Sequence, residues 1–174
     1  MNELTLRQIS KDDKEHVWAY REAFLSHGET LHGGAGLAEA ADFESWFLDI
    51  KNSKSEETVK AGWVPATTYL AIRKSDERMV GIINIRHRLN DFLLNFGGHI
   101  GYSVRRSERQ KGYATQMLRL ALEACPKLKL SKVLLTCDKE NIASVKTILA
   151  NGGKLENEVP EGDKMTQRYW INLE

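Results

Sequence analysis

The chain has 174 residues, 41% of them apolar, with 25 Lys and Arg set against 24 Asp and Glu. That size and apolar share suffice for one core, so a single domain over residues 1–174 is expected. The near balance of charge lacks the strongly basic signature of a nucleic-acid binder, and any anion site must be local.

Leu4, Leu6 and Ile9 read as a short first strand. Ser10-Lys11-Asp12-Asp13 reads as a capping box opening a helix from about Lys11 to Ser26, with Val17, Tyr20, Phe24 and Leu25 as its apolar stripe. Small residues fill Gly28 to Ala41, whose first half reads as a mobile loop, and a short helix is expected from Phe43 to Ile50. Thr67 to Arg73 and Met79 to Leu89 form a predicted hairpin about the polar turn Lys74 to Arg78. A linking segment, Asn90 to Phe96, leads through Gly97-Gly98 into a strand from His99 to Val104. A helix from Gly112 to about Ala124 follows and is stopped by Pro126. Val133 to Cys137 reads as a strand covered on both faces, Asn141 to Ala150 as a helix, and Lys154 to Val159 with Gln167 to Leu173 as a closing pair about the turn Pro160 to Asp163.

Cys125 and Cys137 are too few for a disulfide framework and fit no zinc spacing, which points to a reducing cytosol. The start of the chain has no basic then apolar leader, and no run approaches the roughly 20 apolar residues of a bilayer span. A cytoplasmic protein with no membrane partner is therefore expected. His27 and His32 lack the spacing and further ligands of a metal site, so no metal is expected. The four tryptophans read as core or cleft walls.

Arg105-Arg106-Ser107-Glu108-Arg109-Gln110-Lys111-Gly112-Tyr113-Ala114-Thr115 lies between an apolar strand and an amphipathic helix. The amides at a helix start point outward unpaired, Gly112 and Ala114 permit close approach, and the basic residues add positive charge. A pyrophosphate is the natural guest. Gly34-x-Gly36 lacks the third glycine and the preceding strand of a dinucleotide fingerprint, and no Gly-x4-Gly-Lys-Ser/Thr run occurs.

These residues, with Ile100-Gly101-Tyr102-Ser103-Val104 before them, resemble the acyl-CoA-binding motif of the GNAT superfamily of N-acetyltransferases, Arg or Gln followed by x-x-Gly-x-Gly or Ala. Asp138-Lys139-Glu140-Asn141 with Ser144 is similar to the family's second cofactor-proximal turn, and the order of elements fits over most of the chain. Asn84 to Asn90 further resembles a group of predicted bacterial GNAT acetyltransferases. The resemblance implies an α/β fold of the α+β kind. Its central sheet would be mixed and mainly antiparallel, with helices on both faces and a splayed parallel pair, His99 to Val104 beside Val133 to Cys137.

The activity implied is acetyl transfer from acetyl-CoA, used as co-substrate, to a primary amine in a ternary complex; a homodimer is compatible with it. The competing reading is a non-catalytic acyl-CoA-binding or sensor module. Carried onto this sequence, the cofactor site comprises Tyr102, Ser103, Val104, Arg105, Arg109, Gln110, Lys111, Gly112, Tyr113, Ala114, Thr115, Asn141 and Ser144. The oxyanion donor would be a backbone amide near Tyr102 to Val104.

An amine of pKa about 10.4 must lose a proton before attack, and His99, where relatives often carry Glu, is the first candidate base, with His87 second. Relatives place a thiolate-protonating Tyr on the helix after the second turn, where this chain has Ile148. Tyr102 and Ser144 are the candidates to replace it. Arg86, Arg88 and Asn90 form a polar cluster at a strand end, and Arg86 or Arg88 is expected to bind a carboxylate or phosphate of the acceptor.

Overall fold

The computed structural model describes residues 2–173. Its first strand, β1 (Leu4–Gln8), runs into the expected capping box: Ser10 Oγ accepts from the Asp12 amide and Asp13 Oδ2 accepts from the Ser10 amide at 2.7 Å. Arg7 clamps the same Asp13 carboxylate with two bonds, fixing the turn from strand to helix. The helix α1 (Lys14–Leu25) buries Val17, Tyr20 and Phe24, while Leu25 turns outward. Asp42 caps α2 (Phe43–Asn52) by accepting from the Ser45 amide.

The hairpin of β2 (Ala66–Arg73) and β3 (Arg78–Arg86) carries a bulge: Ala71 pairs with Gly81 and Ile72 with Met79, leaving Val80 extra. As a result Met79 and Ile82 both face α1 and α2, whereas Val80 and Ile83 face the opposite core. Gly81 gives room there, because a Cβ would lie 2.8 Å from the Ser103 backbone oxygen and 2.5 Å from Met117 Sδ of α3 (Tyr113–Ala124). The segment Asn90 to Phe96 is not an irregular link: Asn90 Oδ1 caps it and residues Leu93–Gly97 form a single π-helical turn.

The expected α+β architecture of mainly antiparallel strands and helices is present, with its strands divided between two sheets and no parallel ladder among the described residues. β4 (Ile100–Val104) closes a four-stranded sheet in the order β1-β2-β3-β4, and β5 (Lys132–Asp138) edges a second sheet in the order β5-β7-β6. All five strand pairings among the described residues are antiparallel. The helix α4 (Ile142–Ala150) packs against α3 and β5. The last hairpin, β6 (Lys154–Glu161) and β7 (Lys164–Asn172), turns on Gly162-Asp163 alone, tighter than the four-residue turn expected.

The sheets touch where His99 donates its amide to Leu134 O at 2.7 Å and accepts the Leu134 amide on Nδ1 at 2.9 Å. Gly98 permits that approach: its φ is +67° and a Cβ would lie 2.6 Å from Leu134 O. Beyond this junction no ladder joins β4 to β5, so two free strand edges face one gap. No helix among the described residues is long and apolar enough to cross a membrane.

Candidate active site

At the end of β4 the chain makes a 3-10 turn, Arg106–Glu108, and enters α3 with Gln110 at φ +63° and Gly112 at φ +81°. These two left-handed residues turn successive amides to one side. The N–H groups of Gln110, Lys111, Gly112, Tyr113, Ala114 and Thr115 find no acceptor among the described residues. A run of unpaired donors at a helix start, with its partial positive charge, suits a pyrophosphate. A Cβ on Gly112 would meet nothing within 4 Å, so this glycine serves the backbone turn and not a tight contact.

The cationic side chains of the cradle are less free than the sequence implied. Glu108, buried, accepts from Arg73 Nη1 at 2.6 Å and Lys111 Nζ at 2.9 Å, and its Oε1 lies 3.0 Å from Arg78 Nε. Burial works against its charge, but Lys111 and Arg73 hold the carboxyl below its ordinary range. Arg109 donates Nε to Val104 O and both Nη groups to Glu29, while Arg106 reaches Glu29 at 3.8 Å. The Arg105 guanidinium lies over Tyr20, and its backbone is spent on Val80 O and the Glu108 amide, so Arg105 offers no free group to the cradle. Glu108 and Glu29 escaped sequence reasoning, although a single acid inside a basic run was the available signal for Glu108.

The free edge of β4 follows from its register. Arg105 donates its amide to Val80 O, so alternation turns the backbone groups of Gly101 and Ser103 toward β3 and those of Tyr102 and Val104 toward the gap. Arg109 occupies the Val104 carbonyl, which leaves the Tyr102 and Val104 N–H groups on the open edge. Across the gap, the Tyr102 hydroxyl meets Ser144 Oγ on α4 at 2.8 Å, and Asn141 caps that helix by accepting the Ser144 amide. Burial raises the Tyr102 pKa against the opposing bonds to Ser144 and Thr147. Cys137 on β5 completes this cluster; burial, aided by Asp138, pushes its thiol up to about 11.

His99 does not fit the role of base. Its Nδ1 lone pair is spent on the Leu134 amide, which leaves Nε2 protonated in the neutral ring, and burial with the charge of Arg86 lowers its pKa to about 4. His87 lies apart, bonded through Nε2 to Thr67 Oγ1, with its pKa lowered by burial. Of the acceptor cluster, Arg88 is bound to Glu56 at 2.6 and 3.2 Å, Asn90 caps the π turn, and Arg86 turns inward to Gly97 O and Gly98 O. Ser103 bonds Tyr20 through its side chain and turns its backbone to β3, so it offers nothing to the gap, and the buried ring of Tyr113 leaves only its backbone. Of the Gly28 to Ala41 loop, the first half has Gly34 O accepting from Trp46 and Gly33 lying directly on Gly101, and the second half has Leu37 O accepting from Arg21.

The sequence profile described as "Acetyltransferase (GNAT) domain" matches residues 3–154. No curated protein matches the chain. Solved structures similar to it include ribosomal-protein-S5-alanine acetyltransferase from Vibrio fischeri, 14% identical, covering 99% of this chain and 94% of that one with a TM-score of 0.70. Another is a GNAT-family acetyltransferase from Bacillus anthracis, 20% identical over 98% and 95% of the two chains, with a TM-score of 0.63. A third, yncA from Salmonella typhimurium, was solved with its cofactor acetyl-CoA; it is 12% identical over 99% and 95%, with a TM-score of 0.66.

Proposed function

The chain belongs to the GNAT acetyltransferase family, and from that premise we propose that it moves an acetyl group from acetyl-CoA to a primary amine by direct attack in a ternary complex. The observation that carries the reading is the continuity of two unpaired donor sets: the six amides of the cradle and the Tyr102 and Val104 amides of the open β4 edge. Together they suit a ligand with a pyrophosphate at one end and an amide-bearing arm running into the gap. Acetyl-CoA supplies the activated thioester.

The chain's own residues do the rest. The amides from Gln110 to Thr115 hold the pyrophosphate, and the β4 edge orients the arm and offers a donor to the thioester oxygen. Tyr102 stands as the acid for the departing sulfur, because its raised pKa keeps the hydroxyl protonated and Ser144 fixes its direction. Cys137 stays a neutral thiol, which favours direct attack over an acetylated cysteine. With His99 excluded as base, the amine enters neutral or gives its proton to water. His99 instead braces the junction of the sheets through its two bonds to Leu134.

The Tyr102 to Ser144 contact also favours catalysis over a binding-only module, a reading that rested on Ile148 standing where relatives carry Tyr. Both cysteines are free thiols, which fits a reducing cytosol. The test is thiol release from acetyl-CoA with a panel of amines, alongside calorimetry with acetyl-CoA. Binding with no release for any amine returns the protein to the binding-module reading, and no binding at all removes both.

A further inference from the structure

Among the described residues, every arginine except Arg86 and Arg105 lies within 3.8 Å of a carboxylate. Arg105 lies over the Tyr20 ring with the charge of Glu108 nearby, although its buried Nε has no acceptor among the described residues. Arg86 has neither. Its Nη1 donates to Gly97 O at 3.0 Å and Gly98 O at 3.2 Å, and its Nη2 lies against Gly101. Two carbonyl dipoles solvate part of the guanidinium and leave its charge unbalanced in a desolvated place.

The surroundings of Arg86 are unlike the rest of that sheet face. Under α1 and α2 the face is apolar, with Leu70, Ile72, Met79 and Ile82. Where it passes beneath the Gly28 to Gly36 loop it becomes polar. Thr68, Asn84 and Gly101 form one cross-strand row, and Asn84 Nδ2 donates to Thr68 Oγ1 at 2.9 Å with both side chains buried. Gly33 roofs the row so closely that a Cβ on it would lie 2.5 Å from Gly101 O. This enclave adjoins Tyr102, the residue whose backbone edge would orient the thioester.

We infer that Arg86 recognises a carboxylate on the acceptor, so that the amine acetylated belongs to an amino acid or a similar molecule carrying a carboxylate beside its amine. The inference rests on the acetyltransfer reading above and names its substrate class. A carboxylate balances the single charge of Arg86, whereas a phosphate dianion would leave an excess negative charge in the enclave. Arg88, exposed and already bonded to Glu56, has no such deficit.

The experiment compares the standard α-amino acids with their carboxamides, and with phosphoethanolamine, as acceptors in the thiol-release assay. Free acids are expected to exceed their amides at least tenfold in kcat/KM for the best side chains. Arg86→Gln should collapse that ratio to within about twofold, and Arg86→Lys should retain part of it because one ammonium cannot reproduce the planar fork. In all three proteins KM for acetyl-CoA should stay within about twofold. A structural brace for Gly97 and Gly98 would instead lower the melting temperature and leave the acid-to-amide ratio intact. An equal rate for acids and amides in the unaltered protein, a ratio unchanged in Arg86→Gln, or a preference for phosphoethanolamine overturns the inference. If acetyl-CoA binds and no amine is acetylated, the acetyltransfer reading fails separately. Calorimetry on the CoA-loaded protein then judges Arg86, and amino acids binding no tighter than amides overturns its role.

Discussion

At His99 a single bond decides chemistry. A histidine at the start of this strand reads as a base, yet the Leu134 amide consumes the lone pair a base would need. The pH behaviour should follow. Folded His99 stays neutral down to about pH 4, whereas an unfolded histidine protonates near about 6.5, so between these values the unfolded chain binds more protons. Stability is therefore complete above pH 6.5 and should fall as the pH drops toward 4, by up to about 3 kcal/mol from this residue. Urea unfolding at pH 7 and pH 5 measures it. His99→Gln, which can still accept from Leu134, should flatten the dependence and leave the pH profile of acetyl transfer without a break near 6.5. Tyr102→Phe addresses the acid. It should lower kcat about tenfold to a hundredfold with KM for acetyl-CoA little changed, since a thiolate of pKa about 8.5 can depart unaided at a reduced rate. An unchanged kcat would leave the sulfur's proton to water.

At the start of α3, backbone and side chains follow different rules. Its Gly112 and the unpaired amides around it could be read from a strand, turn and helix in sequence, because a backbone cradle depends on local geometry alone. The side chains could not. Arg109 and Arg106 share Glu29, a residue 80 positions from Arg109 on the loop that also lays Gly33 on β4. Glu29 would therefore compete with the proposed pyrophosphate for these cations. Replacing it by Gln should tighten CoA binding about two- to fivefold in calorimetry, a range set by the modest worth of a partly exposed ion pair. Weaker binding in Glu29→Gln would show that the carboxylate positions Arg109 for the ligand.

Over the whole molecule, hydrogen bonds join the two antiparallel sheets at one residue pair among the described residues, His99 with Leu134, and the gap beyond that junction is where the proposed donor runs. Gly98→Ala tests the arrangement, because a methyl group there would press on Leu134 O and the backbone is left-handed. We expect a loss of about 2 kcal/mol or more, together with a raised KM for acetyl-CoA, from urea unfolding and steady-state kinetics on the same preparation. A normal KM in a destabilised variant would uncouple the junction from the gap.

The strands, helices and caps were legible because periodicity, capping residues and turn glycines are local, and the cradle was legible for the same reason. What the sequence determined by itself is thus the succession of elements, the run of unpaired amides at the start of α3 and, through resemblance, the family. Whether Arg109 is free or paired, whether His99 holds a lone pair for a proton, and that Arg86 and not Arg88 carries an unbalanced charge were decided only by tertiary structure. Each depends on a partner distant along the chain: Glu29 for Arg109, Leu134 for His99, Glu56 for Arg88. The side-chain pattern around each residue is the same whether or not that partner arrives, and folding alone brings it within hydrogen-bonding distance.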